Sequence, residues 1–164
     1  MTISLTPPNG LQTPEEQTQA LQKALQTIEK SFNQFSTSAA RLLVPTVENS
    51  TEVLVSSTTS APIPSYNFPF TSAGGVVCID ASISAYAVGA PLFVEMYLDG
   101  RLISRKVMGS GSAGTICFSQ KTVVGTGSHI LSFNAFVTGG TSQINPPTSA
   151  STYSEVTVLE MAQG

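Results

Sequence analysis

The sequence predicts a mainly β fold. It reads as an antiparallel β-sandwich of the jelly-roll or immunoglobulin-like kind, preceded by one long N-terminal coiled-coil helix. Three observations predict it. Apolar residues recur at alternating steps of four and three between Leu21 and Leu42. Near Pro45 a stretch free of Gly and internal Pro gives way to one rich in Gly, Pro, Ser, Thr and β-branched residues. Seven or eight strand signals then follow over about 115 residues, with turn signals between them and no crossover helix, which excludes a parallel sheet. The 164 residues divide accordingly into an extended N-terminal anchor peptide (1–13), a coiled-coil helix (14–44) and a β-sandwich domain (45–164).

The helix carries its own start and stop signals. Thr13 suits the N-cap, Pro14 the first helical position, and Glu16 completes a Thr-x-x-Glu capping box. Glu15 and Glu16 also suit the positive end of the helix dipole. Arg41 lies near the other end, and Pro45 stops the helix. The seam is Leu21, Leu25, Ile28, Phe32, Phe35, Ala39 and Leu42. Leu25, Phe32 and Ala39 take position a, and Leu21, Ile28, Phe35 and Leu42 take position d. An amphipathic helix packed on its own domain gives a similar pattern over short lengths. The strict spacing favours the coil, as does the lack of a third apolar column, since position g holds Gln17, Ala24, Ser31 and Ser38. Two Phe in the seam suit three strands better than two, so the expected partner is the chain itself, as a homotrimer.

The second part reads as strands. Thr51–Ser57 is β-rich, and Val76–Val88 alternates with Ile79, Ala81, Ile83 and Ala85 on one face. Leu92–Leu98 and Arg101–Met108 flank Asp99-Gly100, the strongest short hairpin signal in the chain. Thr115–Val124 and His129–Thr138 each follow a Gly-rich turn, and Tyr153–Glu160 is the last strand. Pro62, Pro64 and Pro69 make any strand over 61–72 short or an edge. Alternation buries Val94, Met96 and Leu98, then Leu131, Phe133, Ala135 and Val137. It leaves Phe93, Tyr97, Phe136 and Leu159 on second faces, where water alone gives no reason for apolar side chains. Contact with another subunit explains them. Cover by loops or by the helix explains them equally well.

Composition narrows function. The net charge is -3 and only 10% of residues are charged, while 22 Ser and 19 Thr fill the gap. Seven bases make a poor partner for phosphate backbones, so no nucleic acid is expected. No apolar run approaches the ~20 residues of a membrane span, and the start lacks the features of a signal peptide. Chemistry is sparse too. The sole His, His129, opens a strand, where a surface or half-buried role is the ordinary one. Cys78 and Cys117 lack metal-ligand spacing. They read as buried free thiols, or as a disulfide if their strands lie opposite each other. The Gly109–Gly114 run lacks the Lys-Ser/Thr and helix of a phosphate loop. Neither a catalytic residue, a metal nor a cofactor is expected.

In organisation, the whole chain resembles the short trimeric structural proteins of tailed bacteriophages: tail or head fibres, baseplate appendages and capsid decoration proteins. The likeness rests on the seam from Leu21 to Leu42, the Leu98-Asp99-Gly100-Arg101 hairpin, the Gly127–Phe133 strand and the short Val156–Glu160 strand. The resemblance carries no functional residue over. It implies a homotrimeric, non-enzymatic virion protein made in the host cytoplasm. Its residues 1–13 would dock on other virion proteins, its sandwich would form a knob, and the Thr138–Ser151 loop would face outward. A capsid decoration (cement) protein is one alternative. A carbohydrate- or receptor-binding β-sandwich is the other, taking a host surface glycan on Tyr66, Tyr86 and Tyr153, with Tyr97 also available, if these gather in one exposed groove. A sandwich-type hydrolase would require His129 and a carboxylate to meet a Ser or Cys in a cleft.

Overall fold

The computed structural model describes residues 14–37, 40–146 and 153–161, without the side chains of Pro14 and of 31–37. The expected anchor peptide, 1–13, lies outside the described residues. The chain divides between Ala39 and Ala40 into a helical unit and a β unit. Helix α1 is Pro14–Thr37. The strands are β1 (Arg41–Asn49), β2 (Val53–Val55), β3 (Ala61–Ala87), β4 (Leu92–Leu98), β5 (Arg101–Met108), β6 (Ser112–Val137), β7 (Ser142–Ile144) and β8 (Ser154–Met161).

The helical unit keeps its predicted start, with Glu15 and Glu16 in the first turn. Leu21 and Leu25 are 64% and 61% exposed, and Ile28 is exposed as well. Phe32 and Phe35 fall within α1, but their side chains, and Ala39 altogether, lie outside the described residues. The helix is shorter than the 14–44 expected. Leu42 belongs to no helical seam: it lies in β1, opposite Leu159 of β8. The step from Ala39 to Leu42 fits a heptad by coincidence. Leu42-Leu43-Val44 is a continuous apolar run that a strand can bury, and Val44 enters the core while Leu43 and Val47 pack against it. Pro45 therefore sits inside a strand rather than ending a helix. β1 is an edge strand, paired with β8 alone in the sheet order, so the missing N–H of Pro45 is tolerated.

The β unit is an antiparallel sheet ordered β1-β8-β3-β6-β4-β5, with β7 attached to β3 and β2 to β7. Its spine is the β3–β6 pair, 27 and 26 residues long, paired from Ala61 opposite Ala135 to Ala87 opposite Ser112 with a register shift between Pro62 and Asn67. The first half of β3 and the second half of β6 continue into β4 and β5. The other two halves continue into β8 and β1. The sheet thus folds over on itself, and its two layers meet through their inner faces. Phe118 of one layer packs edge to face on Phe133 of the other, 5.7 Å between centroids.

Glycine makes the corner. Gly74, at φ 96°, lies between the Ala73–Thr126 and Gly75–Val124 pairs, level with Gly125 and with the register unchanged on either side, and Gly127 opposite Ser72 has φ 132°. Across the corner the inward-facing positions change from even to odd numbers on β3 and likewise on β6, so the two strands turn over together. Tyr66, Phe68, Phe70 and Ser72 point inward before the corner, and Val77, Ile79, Ala81 and Ile83 after it. Each layer therefore presents its apolar set to the same core. The corner is capped by Glu160, whose Oε1 accepts from the Ser72 hydroxyl and, at 3.0 Å, from the Ala73 N–H. The strands expected separately at 115–124 and 129–138 are one continuous strand through this corner. The proline-bearing 61–72 segment is, as expected, an edge: it pairs with β6 and nothing else.

Part of the loop expected on the outer surface is core instead. Within Thr138–Ser151, β7 pairs with both β2 and β3, and Ser142, Ile144 and Asn145 are buried. Residues 147–152 lie outside the described residues. Asn145 adopts φ 52°, a conformation Asn tolerates better than most residues. Its amide donates to the Tyr66 hydroxyl and the Thr51 carbonyl, each at 3.0 Å, and its carbonyl accepts from the Ser154 hydroxyl at 2.7 Å. Ser154 in turn accepts from the Ser84 N–H at 3.0 Å. Four segments are thereby tied by one satisfied buried network.

Candidate functional site

The outer face of the β5–β4–β6 layer is set by register. Phe93 lies between Val107 and Phe136, and Glu95 between Arg105 and Asn134. Tyr97 lies between Leu102 and Ser132. This gives three rows of side chains on one surface, apolar, then polar, then mixed. Phe93 and Phe136 stack with centroids 4.7 Å apart and planes 4° apart. The Arg105 guanidinium carbon lies 5.7 Å from the Phe136 centroid, within cation–π range.

Glu95 is the hub. It points outward yet is fully buried beneath its neighbours. Arg105 donates to its Oε1 from Nε at 2.7 Å and also from Nη2. Oε2 accepts from the Tyr97 hydroxyl at 2.9 Å and from the Ser60 hydroxyl. Asn134 donates to Ser60 at 3.0 Å. Burial pushes the Glu95 carboxyl up, but the bonds from Ser60, Arg105 and Tyr97 and the Arg105 charge outweigh it and hold the group below its ordinary range. The carboxylate is therefore ionised, fully partnered and unavailable as a base. What it does is fix Tyr97 and Ser60 in place and hold Arg105 against the Phe136 ring. Arg105 stays 52% exposed, so its remaining N–H groups face water.

Phe93, Tyr97 and Phe136 are thus brought together as sequence alternation anticipates. Leu159 is not with them. It is half-buried on the outside of the other layer, opposite Cys78 and Leu42. The tyrosines do not gather. Tyr66 is in the core, where burial raises its hydroxyl pKa against the lowering effect of bonds with Ser154 and Asn145. Tyr86 is half-buried opposite Gln143, and exposed Tyr153 precedes β8. Tyr66 cannot face a ligand, because the register bulge between Pro62 and Asn67 turns its ring inward. Arg105, Glu95, Asn134 and Ser60 were not singled out as one site from sequence. A lone acid inside Leu92-Phe-Val-Glu-Met-Tyr-Leu98 is the signal that could have found Glu95.

His129 meets a carboxylate, Asp99, at 2.7 Å from Nδ1. Its Nε2 lies 3.0 Å from the Gly125 carbonyl oxygen. Both ring nitrogens are therefore engaged, and among the described residues the partner at Nε2 is a carbonyl oxygen rather than a Ser or Cys. The cysteines are both free, and Cys117 is exposed rather than buried. Cys78 lies opposite Lys121 and Cys117 opposite Ser82, four register positions apart, about 13 Å along the sheet, which is too far for a disulfide. Among the described residues, no cluster of three or more His, Cys, Asp or Glu could hold a metal, and no helix is long and apolar enough to cross a membrane.

No known protein family and no curated protein matches this sequence. Solved structures do show likeness. The dimeric latent PorU of Porphyromonas gingivalis is 15% identical with a TM-score of 0.42, covering 76% of this chain and 14% of that one. The EclA C-terminal domain, a sugar-binding protein, is 18% identical with a TM-score of 0.43, covering 62% of this chain and 74% of that one. A CBM36 carbohydrate-binding module in complex with calcium and xylotriose is 11% identical with a TM-score of 0.34, covering 71% and 98%. The structure of infectious bursal disease virus Gx strain is 11% identical with a TM-score of 0.38, covering 77% and 37%. At such values none of them assigns this chain an activity.

Proposed function

We propose that this chain is a non-enzymatic recognition protein whose β5–β4–β6 outer face binds a neutral, hydroxyl-rich ligand of the carbohydrate class. One observation carries the reading. The stacked Phe93–Phe136 pair stands beside Arg105, Tyr97 and Asn134, three planar polar groups gathered around the buried Glu95. Flat apolar rings suit the C–H face of a sugar, and fixed planar donors suit its hydroxyls. The Glu95 charge offsets that of Arg105, so the surface has no net call for an anionic ligand. Holding these side chains in advance lowers the ordering cost of binding. The test is to screen the full chain against an array of neutral and acidic glycans. Retention of neutral glycans that Phe136→Ala abolishes supports the reading, and no retention of any glycan refutes it.

A second reading has one observation of its own. Leu21, Leu25 and Ile28 form an exposed apolar line on α1. A seam of this spacing suits self-association, and isolated helices of this length are marginal in water. A homotrimeric virion protein docking through residues 1–13, with the sandwich as its recognition knob, accommodates both surfaces. Light scattering on the full chain tests this reading separately.

A further inference from the structure

The Asp99-Gly100 turn joins β4 to β5, and both turn residues have positive φ, 52° and 76°, as a two-residue hairpin loop requires. The turn does not project freely. Asp99 donates its N–H to the Ile130 carbonyl at 2.9 Å, and its Oδ1 accepts from the Ile130 N–H at 2.8 Å. Its Oδ2 faces His129 Nδ1 at 2.7 Å. The far nitrogen of the same ring, Nε2, faces the Gly125 carbonyl at 3.0 Å. Gly125 belongs to the corner where the sheet folds over. One imidazole therefore spans the hairpin turn and the sheet corner. The Phe70 ring lies against it, 5.5 Å between centroids.

Proton counting sets the consequence. Asp99 and the Gly125 carbonyl are both acceptors only. A neutral imidazole has a single N–H, so it can serve one of them. The ionised Asp99 keeps the proton on Nδ1, and the Nε2 lone pair is then left facing the Gly125 oxygen. Only the imidazolium satisfies both ends.

We infer that His129 is a pH-sensitive clamp, locking the β4–β5 turn to the Gly125 corner when doubly protonated and releasing the corner when it loses the Nε2 proton. The charged groups acting on the ring are Asp99 on the turn and, further off, Glu160 on β8; the β3 side contributes Phe70, which does not titrate. The bonds to Asp99 and then to Gly125 raise the His129 pKa, partial desolvation opposes them, and the Asp99 and Glu160 charges add to the rise. Asp99 is held low in turn. Its desolvation acts upward but is outweighed by the bonds from His129 and the Ile130 N–H and by the His129 charge. A raised folded-state pKa gives stability that is complete below the unfolded value near 6.5 and is lost as pH rises through the folded value. The corner is thus locked below the folded-state midpoint of His129 and loosened above it.

The test is an NMR titration of the ring nitrogens in the full chain, with amide exchange at 125–128 expressed as protection over the intrinsic rate. The expected ring is doubly protonated, with a midpoint above about 6.5, and protection falls about tenfold across that midpoint, the worth of one ordinary hydrogen bond. His129→Gln supplies one donor at every pH and abolishes the pH dependence. Asp99→Asn keeps an oxygen for the Ile130 N–H, removes the charge and lowers the midpoint, which serves if His129→Gln does not fold. A midpoint at or below 6.5, or protection that does not follow the titration, overturns the clamp.

Discussion

Phe93 and Phe136 stack across β4 and β6 with their planes only 4° from parallel. Both are half-buried, on the face that turns away from the core. Their contact is thus a feature of the surface, and its loss weakens binding more than folding. Phe136→Ala is expected to cost about 1–2 kcal/mol of stability, below the roughly 3–5 of a fully buried Phe. Chemical denaturation measures it. A cost as large as that of Phe133→Ala, a true core ring, would make the pair structural.

Glu95 gives the layer an acid-sensitive joint. Its carboxyl is held below the ordinary 4.5, so the stabilisation is present above that value. It is lost as pH falls from there through the lower folded-state value. Thermal melts from pH 6 to pH 2 should show this loss, and Glu95→Gln should flatten part of it. At neutral pH Glu95→Gln is expected to cost about 1–3 kcal/mol, because Arg105 and Tyr97 lose a charged acceptor.

Gly74 is one of the positive-φ glycines at the sheet corner. At φ 96° a side chain on Gly74 is strained, and a Cβ there would stand 2.9 Å from Thr126 Oγ1. Gly74→Ala is expected to destabilise by about 1–3 kcal/mol. Gly109→Ala, whose Cβ would meet only Ser112 Oγ at an ordinary 3.7 Å, should be close to neutral. The difference in melting temperature between the two variants is the check.

How far the fold was legible follows from which signals are local. Asp99-Gly100 fixed a hairpin whose two strands match their expected limits, and alternation placed Val94, Met96, Phe133 and Ala135 in the core. The corner was not legible as such. Gly74 and Gly127 read as breaks between strands, yet the β3–β6 pairing runs straight through them. β7 has three residues and no periodicity to detect, so a buried strand read as loop. Leu42 fitted two templates at once, and tertiary pairing with β8 decided between them. The site shows the same division. Outward Phe93, Tyr97 and Phe136 came from alternation alone. Which residues meet them depends on the long-range β4–β6 pairing. It depends also on a bulge between Met96 and Tyr97 that brings Arg105, rather than Ser104, opposite Glu95.

The helical unit makes its own prediction. If Leu21, Leu25 and Ile28 form a trimeric seam, light scattering on the full chain gives about 51 kDa, three times the 17.1 kDa of one chain. Replacing Leu21 and Leu25 with Lys should then return the mass of a single chain. A full chain that is already monomeric contradicts the seam.

The most direct test of the recognition face is a comparison of glycan affinity by titration calorimetry. The wild-type full chain is set against Phe136→Ala and against Val123→Ala, which lies on the outside of the other layer. The account predicts that Phe136→Ala weakens binding by about tenfold or more, equivalent to roughly 1.4 kcal/mol. Val123→Ala should bind as the wild type does. Equal binding by all three, or a loss with Val123→Ala alone, would contradict the assignment of the ligand to the β5–β4–β6 face.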